Sequence, residues 1–98
     1  MSPLERRVFE ILISLRDGEV VSYGDIADDA GFPGRSRAVG RFLATTDEEV
    51  PWWRVVNSAG RLVPGHEAEQ AALLREEGVE VRSGSVRSAR FGRFRPPG

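Results

Sequence analysis

The 98 residues contain no cysteine, and this absence removes a whole set of chemistries. Without a thiol, the chain can form no disulfide, offer no thiolate to zinc and supply no cysteine nucleophile. The single histidine, His66, leaves little for metal binding or for acid and base catalysis by an imidazole. The sequence therefore predicts no metal and no cofactor, and His66 is interpreted as an exposed loop residue.

Lysine and long apolar stretches are absent as well. All fourteen basic residues are arginines, and no apolar run approaches the roughly 20 residues that a membrane helix needs. Charged residues interrupt the apolar pattern of the N-terminus, so it does not resemble a secretory signal. We expect a globular cytoplasmic protein without a membrane partner, associated with the nucleoid if it is bacterial.

Charge is distributed unevenly along the chain. The net charge of −1 argues against indiscriminate binding of nucleic acids. Residues 81–98 nevertheless hold five arginines and no acid, whereas the rest of the chain holds nine arginines and fifteen acids. Gly, Ser, Arg and Pro dominate this last stretch. The composition predicts a folded domain over residues 1–81 and an arginine-rich, flexible tail over residues 82–98.

Helix-start signals divide the folded part. Ser2-Pro3-Leu4-Glu5 and Ser22-Tyr23-Gly24-Asp25 both have the pattern of a capping box, in which the first and fourth residues cap each other's backbone amides. A turn at Gly31-Phe32-Pro33-Gly34 separates the second helix from an arginine-rich third one, RSRAVGRFLATT. Two short helices joined in this way outline a helix-turn-helix.

Short extended segments complete the expected architecture. Apolar β-branched residues predict strands at Val20-Val21, at Val55-Val56 and at residues 79–81. The turn at residues 57–60 predicts that residues 61–63 pair with Val55-Val56. A last helix is expected from Glu67 to Glu77, closed by Gly78. The predicted fold class is mainly α with short β strands.

Four motifs then stand in order along the chain. They are SYGDIA (Ser22 to Ala27), RAVG (Arg37 to Gly40), RVVNSAG (Arg54 to Gly60) and LLREEG (Leu73 to Gly78). Their order and spacing resemble the DNA-binding domain of the O6-alkylguanine DNA alkyltransferases. The resemblance covers roughly Leu4 to Val81, and it implies a winged helix-turn-helix domain like the C-terminal domain of those enzymes.

The family's catalytic motif is altered in this chain. The alkyltransferases carry Pro-Cys-His-Arg, whose cysteine accepts the alkyl group as a thiolate formed with help from the histidine. Here the motif reads Pro51-Trp52-Trp53-Arg54, so tryptophans stand at the cysteine and histidine positions. The resemblance therefore implies that the chain is not an enzyme.

A tryptophan at the cysteine position is typical of the alkyltransferase-like proteins. These proteins bind O6-alkylguanine in double-stranded DNA without repairing it, and they pass the site to nucleotide excision repair proteins. They usually read Pro-Trp-His-Arg, so Trp53 departs from their pattern too. The resemblance implies DNA with O6-alkylguanine and nucleotide excision repair proteins as partners, and a monomer that docks in the minor groove.

Individual roles follow residue by residue from the resemblance. Arg37 matches the arginine that fills the base stack after nucleotide flipping, and Tyr23 matches the tyrosine that helps to rotate the nucleotide outward. Glu77 matches a buried glutamate of the family, for which we expect a structural role. The implied sites are DNA-binding Tyr23, Arg35, Ser36 and Arg37, a lesion pocket of Tyr23, Trp52, Trp53 and Val55, and the loop-supporting Arg54.

The loop after Gly60 departs from the family, because it lacks the glycine-tyrosine-serine segment that closes the alkyltransferase pocket. We expect a more open pocket that tolerates larger adducts, and a comparison of methyl and benzyl adducts would test this.

Other interpretations of these residues stay open. Without the resemblance, Trp52 and Trp53 would usually be core or interface aromatic residues, and Arg37 a solvated surface or ion-paired residue. Tyr23 is equally a packing residue, and Arg54 is equally a structural arginine or a DNA contact.

One alternative function is a transcription regulator that reads the major groove through Arg35 and Arg41. Another is an enzyme with unrecognised chemistry. Preference for one operator sequence would favour the regulator, and loss of the alkyl group from DNA would favour the enzyme.

Overall fold

The computed structural model describes residues 1–96, which form four helices, one 3-10 turn and four short strands. Among the described residues, no helix is long and apolar enough to cross a membrane. The elements are α1 (Pro3–Ser14), β1 (Val21–Ser22), α2 (Tyr23–Asp29), α3 (Ser36–Thr45), the 3-10 turn (Trp52–Arg54), β2 (Val55–Val56), α4 (Glu67–Glu76), β3 (Glu80–Arg82) and β4 (Ser85–Ser88).

Both predicted capping boxes are confirmed. The Ser2 hydroxyl accepts from the Glu5 amide at 3.1 Å, and the Glu5 carboxylate accepts from the Ser2 amide at 2.8 Å. Ser22 and Asp25 repeat this reciprocal pair at 3.0 and 2.9 Å. Each box satisfies amides that have no partner inside the helix, and thereby determines where α1 and α2 begin.

Helices α2 and α3 form the predicted helix-turn-helix. Gly31 and Gly34 take φ angles of +87° and +84° in the turn between them, a conformation that favours glycine. The apolar sides of α1, α2 and α3 meet in one core, which contains Val8, Leu12, Ile26 and Val39 at 0% exposure. The opposite side of α3 therefore faces solvent.

The strand pairing differs from the sequence prediction. Val55–Val56 pairs in parallel with Val21–Ser22, not with residues 61–63. Arg61 instead forms an isolated bridge with Ser85. Val55 and Val56 are both fully buried, so β2 lies in the interior, where a parallel partner from a distant part of the chain can reach it. The turn at residues 57–60 does not indicate which segment pairs with β2.

The C-terminal segment also differs from the expected flexible tail. Strands β3 and β4 form an antiparallel hairpin, and Val86 and Phe94 are 1% and 5% exposed in a second core with Leu74. Phe94 packs so closely on Gly60 that a Cβ there would lie 2.8 Å from its ring. Two apolar side chains thus anchor a stretch whose composition predicted mobility. Residues 97–98 of the predicted tail lie outside the described residues.

Candidate nucleic-acid interface

The exposed side of α3 is positively charged. Arg35, Arg37 and Arg41 are exposed, and within residues 1–96 none of their side chains has a hydrogen-bond or ion-pair partner. The first turn of α3 holds no acidic residue, and no side chain caps its start. The free amides and the helix dipole therefore add to the positive potential of the arginines, an arrangement suited to phosphate. Ser36, the first residue of α3, is half-buried.

Tyr23 lies at the first position of α2, where it packs across α3. It is half-buried, and burial raises the pKa of its hydroxyl above the ordinary 10.0. Its ring approaches Gly40 of α3, where an added Cβ would lie 3.9 Å from Tyr23 Cε1. The hydroxyl therefore stays protonated at neutral pH and can donate a hydrogen bond.

Tyr23 and Trp52 line one cleft of about 430 Å³, a size within the usual range for small-molecule sites. The indole of Trp52 meets the imidazole of His66 edge to face, with ring centroids 5.9 Å apart. Arg37 precedes Gly40 by one helical turn, so it lies on the same side of α3 as the cleft. The lining residues are Tyr23, Gly40, Leu43, Ala44, Trp52, Val63, His66 and Glu69.

The two tryptophans point in different directions. Their rings are nearly perpendicular, at 87°, with centroids 6.2 Å apart. Trp53 donates its indole N–H to Glu77 Oε2 at 2.8 Å and packs against the second core. It does not line the cleft, and neither does Val55, which is 0% exposed. Of the expected lesion pocket, this cleft contains Tyr23 and Trp52, whereas Trp53 lines a second, more open groove with Trp52.

Arg54 anchors the 3-10 turn that carries both tryptophans. Its Nε and Nη2 donate to the Glu77 carboxylate at 3.0 and 2.7 Å, and its Nη1 donates to the Leu15 carbonyl at 2.8 Å. Nη2 also donates to Asp17 Oδ1 at 2.6 Å. A paired guanidinium with so many acceptors positions a loop rigidly. These contacts support the loop-supporting role of Arg54, which stays a prediction.

Glu77 is the centre of this network. Burial by itself raises its pKa, but hydrogen bonds from Arg54, from the Gly18 amide and from Trp53 outweigh burial. The charge of Arg54 acts in the same direction, and the pKa of Glu77 is held below the ordinary 4.5. Glu77 is therefore a charged structural residue, as expected.

Sequence reasoning missed part of the cleft. His66 was interpreted as a loop residue; it is indeed exposed, but it also contacts Trp52 at the cleft. Glu69 and Val63 flank it and line the cleft as well. The available signal was the unusual loop after Gly60, from which we expected a more open pocket without identifying the side chains that would line it. Within residues 1–96, no group of three or more acidic or histidine side chains could hold a metal ion.

Comparisons with known proteins identify a family whose model matches most of the chain. The family described as 6-O-methylguanine DNA methyltransferase, DNA binding domain, matches residues 3–79. A DNA base-flipping protein of Vibrio parahaemolyticus is 38% identical over 79 residues, which cover 76% of this chain and 79% of that protein. Alkyltransferase-like protein 1 of Schizosaccharomyces pombe is 34% identical over 92 residues, which cover 88% of this chain and 85% of that protein.

Solved structures of similar proteins contain DNA. The crystal structure of S. pombe Atl1 in complex with damaged DNA containing O6-carboxymethylguanine matches with a TM-score of 0.74 and 33% identity, over 84% of this chain and 82% of that chain. The crystal structure of Mycobacterium tuberculosis OGT in complex with DNA matches with a TM-score of 0.71 and 35% identity, over 80% of this chain and 50% of that chain.

Proposed function

The chain belongs to the family of 6-O-methylguanine DNA methyltransferase DNA-binding domains, and from this premise we propose that it recognises O6-alkylguanine in double-stranded DNA without repairing it. The observation that carries the proposal is the cleft between Tyr23 and Trp52, which opens beside the arginine-bearing helix α3. Relatives named DNA base-flipping protein and alkyltransferase-like protein 1 support the same function.

In the proposed complex, α3 docks in the minor groove and the damaged guanine rotates into the cleft. Extrusion costs a few kcal/mol because the base leaves its stack and its pair. The guanidinium plane of Arg37 recovers part of this cost by stacking in the vacated position. Tyr23 guides the rotating nucleotide, and the apolar face of Trp52 contacts the alkyl group. Arg35 and Ser36 contact the backbone, which adds affinity without sequence preference.

The proposal excludes alkyl transfer by a cysteine. The 98 residues contain no thiol, and the resemblance places Trp52 at the nucleophile's position. The hydrogen bond from Trp53 to Glu77 joins the histidine position of the motif to the family's glutamate, but an indole N–H donates only and cannot act as a base. At the position of the family's catalytic loop, this chain has a 3-10 turn with two tryptophans, which Arg54 holds in place.

A restored cysteine alone is not expected to restore transfer. Trp52→Cys provides a thiol, but the neighbouring indole cannot take its proton, so no thiolate is stabilised. We expect no alkylated protein after incubation with a methylated duplex, as measured by mass spectrometry of the intact chain. Adding Trp53→His should produce detectable transfer, because an imidazole at that position can bond to Glu77. Transfer by the single variant would show that the histidine is dispensable.

Gly40→Ala separates stability from recognition. Replacing a helical glycine with alanine stabilises the fold by about 0.5–1 kcal/mol, and the new Cβ makes an ordinary contact with Tyr23. The same methyl group narrows the cleft, so lesion affinity should fall even though the melting temperature rises. Gly24→Ala is the control, because Gly24 is helical and does not line the cleft. If Gly40→Ala leaves the lesion affinity unchanged, the flipped guanine does not enter this cleft.

The decisive experiment is fluorescence anisotropy with matched duplexes that contain O6-methylguanine or guanine, at two salt concentrations. Tighter binding of the lesion that persists at the higher salt supports the proposal, because contacts in the cleft release no counterions. Equal and strongly salt-dependent binding contradicts it. A preference for one undamaged sequence would favour the transcription regulator instead.

The proposal extends to the partners. A protein that flips a lesion without chemistry needs another to remove it, and we propose nucleotide excision repair proteins for this step. The chain would act as a cytoplasmic monomer, with one α3 and one cleft for each lesion. Analytical ultracentrifugation of the DNA complex would test the monomeric state.

A further inference from the structure

The cleft contains one acidic side chain, Glu69, to which the proposed function gives no role. With histidine counted as neutral, Glu69 is the single charged side chain among the described residues that line the cleft. We infer that Glu69 selects the chemical class of adduct: the cleft takes neutral alkyl groups on guanine O6 and disfavours adducts that carry a carboxylate. This inference rests on the proposed function, because it assumes that the flipped base enters this cleft.

No neighbouring side chain within residues 1–96 pairs with the Glu69 carboxylate, which lines the cleft. The carboxylate is exposed, and it accepts no hydrogen bond from these residues either. Glu67, in the same first turn of α4, instead accepts from the Gly65 amide at 2.9 Å. Two carboxylates in this turn also offset the positive end of the α4 dipole, which would otherwise attract an anion. The start of α4 therefore presents negative charge to an incoming adduct.

The rest of the cleft suits an uncharged group. Leu43, Ala44 and Val63 supply apolar walls, and Trp52 supplies an aromatic face. A methyl or benzyl group is stabilised by burial against these surfaces, and a neutral group has no net charge for Glu69 to repel. A carboxymethyl group brings a second negative charge to within a few ångströms of the Glu69 carboxylate. The carboxymethyl group lies between methyl and benzyl in size, so the benzyl adduct controls for size, and removal of the Glu69 charge isolates the electrostatic part of the difference.

The expected effect is moderate because water screens an open cleft. Two unit charges a few ångströms apart at a hydrated surface change a binding constant by about three- to tenfold. Wild-type protein should therefore bind O6-methylguanine duplex about three- to tenfold more tightly than O6-carboxymethylguanine duplex. S. pombe Atl1, whose crystal structure contains O6-carboxymethylguanine, serves as the positive control for the carboxymethyl duplex.

The experiment compares Glu69→Gln with a matched control. Glu76→Gln removes the same charge from an exposed position on the same helix, about 10 Å further along its axis. Dissociation constants are measured by anisotropy for duplexes with guanine and with the methyl, benzyl and carboxymethyl adducts. Each lesion affinity is divided by the methyl value, which cancels any general change in attraction to DNA.

Glu69→Gln should raise the carboxymethyl-to-methyl affinity ratio about three- to tenfold, and Glu69→Lys should raise it further. The benzyl-to-methyl ratio should stay constant in both, since neither group is charged. Glu76→Gln should leave all ratios at the wild-type value.

Two results would overturn the inference. If Glu69→Gln weakens or strengthens all three lesions equally, Glu69 contacts the base or shapes the cleft and does not sense adduct charge. If Glu69→Gln leaves every affinity unchanged, or if wild-type protein binds the carboxymethyl duplex as tightly as the methyl duplex, the adduct does not approach Glu69. In both cases wild-type protein still prefers lesions over guanine, so the proposed function survives. Loss of that preference for every adduct would overturn the proposed function and this inference together.

Discussion

Arg37→Ala should lower the affinity for an O6-methylguanine duplex by about 30- to 100-fold. A side chain that stacks in place of a base contributes ~1–3 kcal/mol, and its positive charge adds attraction to the phosphates; each 1.4 kcal/mol corresponds to about tenfold in affinity. Arg37 is exposed and without a partner within residues 1–96, so its removal should leave the fold intact. Anisotropy with lesion and guanine duplexes measures the effect.

Arg41→Ala is the matched control, because Arg41 is another exposed arginine of α3 and the charge change is the same. A residue that contacts only phosphate weakens binding of both duplexes alike and reduces the salt dependence by about one unit. Arg37→Ala should instead weaken the lesion duplex more than the guanine duplex. Equal losses in the two variants would make Arg37 an ordinary phosphate contact and would remove it from the flipping mechanism.

Arg54→Ala should destabilise the protein by about 3–5 kcal/mol, the usual consequence of leaving one partner of a buried ion pair unpaired. The side chains of Arg54 and Glu77 are 10% and 11% exposed, so loss of the guanidinium leaves the Glu77 charge in a poorly hydrated position. Such a change is a large part of the ~5–15 kcal/mol that stabilises a typical domain. Because Arg54 also holds the turn that carries Trp52, lesion affinity should fall with stability. Urea unfolding measures the first effect.

Arg7→Ala provides the comparison for an exposed pair. Arg7 and Glu10 form an ion pair at 3.2 Å, but their side chains are 54% and 50% exposed. Exposed pairs of this kind contribute at most a few tenths of a kcal/mol. If Arg54→Ala were as mild as Arg7→Ala, the network around Glu77 would not stabilise the fold.

The same network predicts how stability depends on pH. The pKa of Glu77 is lower in the folded protein than its ordinary value of 4.5, so its charged form is favoured by folding. This contribution is fully present above pH 4.5, and it is lost as the pH falls through the folded pKa. Glu77→Gln removes this titrating group, so the free energy of unfolding should depend less on pH in acid than in wild-type protein.

Local signals made much of the fold predictable. The capping boxes at Ser2 and Ser22 join residues only three apart, so the sequence itself holds both partners. The turn between α2 and α3 was equally predictable from Gly31 and Gly34, whose positive φ angles need glycine. The partner of β2 was not, because two adjacent valines fit any buried strand and contain no information about which strand lies beside them.

The candidate site, too, was predictable from the sequence only in part. The family resemblance identified Trp52 and Tyr23, which do meet in one cleft, but it also assigned Trp53 and Val55 to that cleft. Trp53 turns away because its N–H finds the Glu77 carboxylate, 24 residues further along the chain. No pattern within the Pro-Trp-Trp-Arg motif could predict that acceptor, since it depends on how α4 packs against the 3-10 turn.

The sequence alone determined that the chain has no thiol for alkyl transfer, where α1 and α2 begin and which family its motifs resemble. These conclusions depend on composition and on neighbours a few residues apart. Tertiary structure decided that Phe94 joins the second core and that Glu69 reaches the cleft. The physical reason is that burial and charge contacts arise between segments distant in the chain, and only packing of the folded elements brings those segments together.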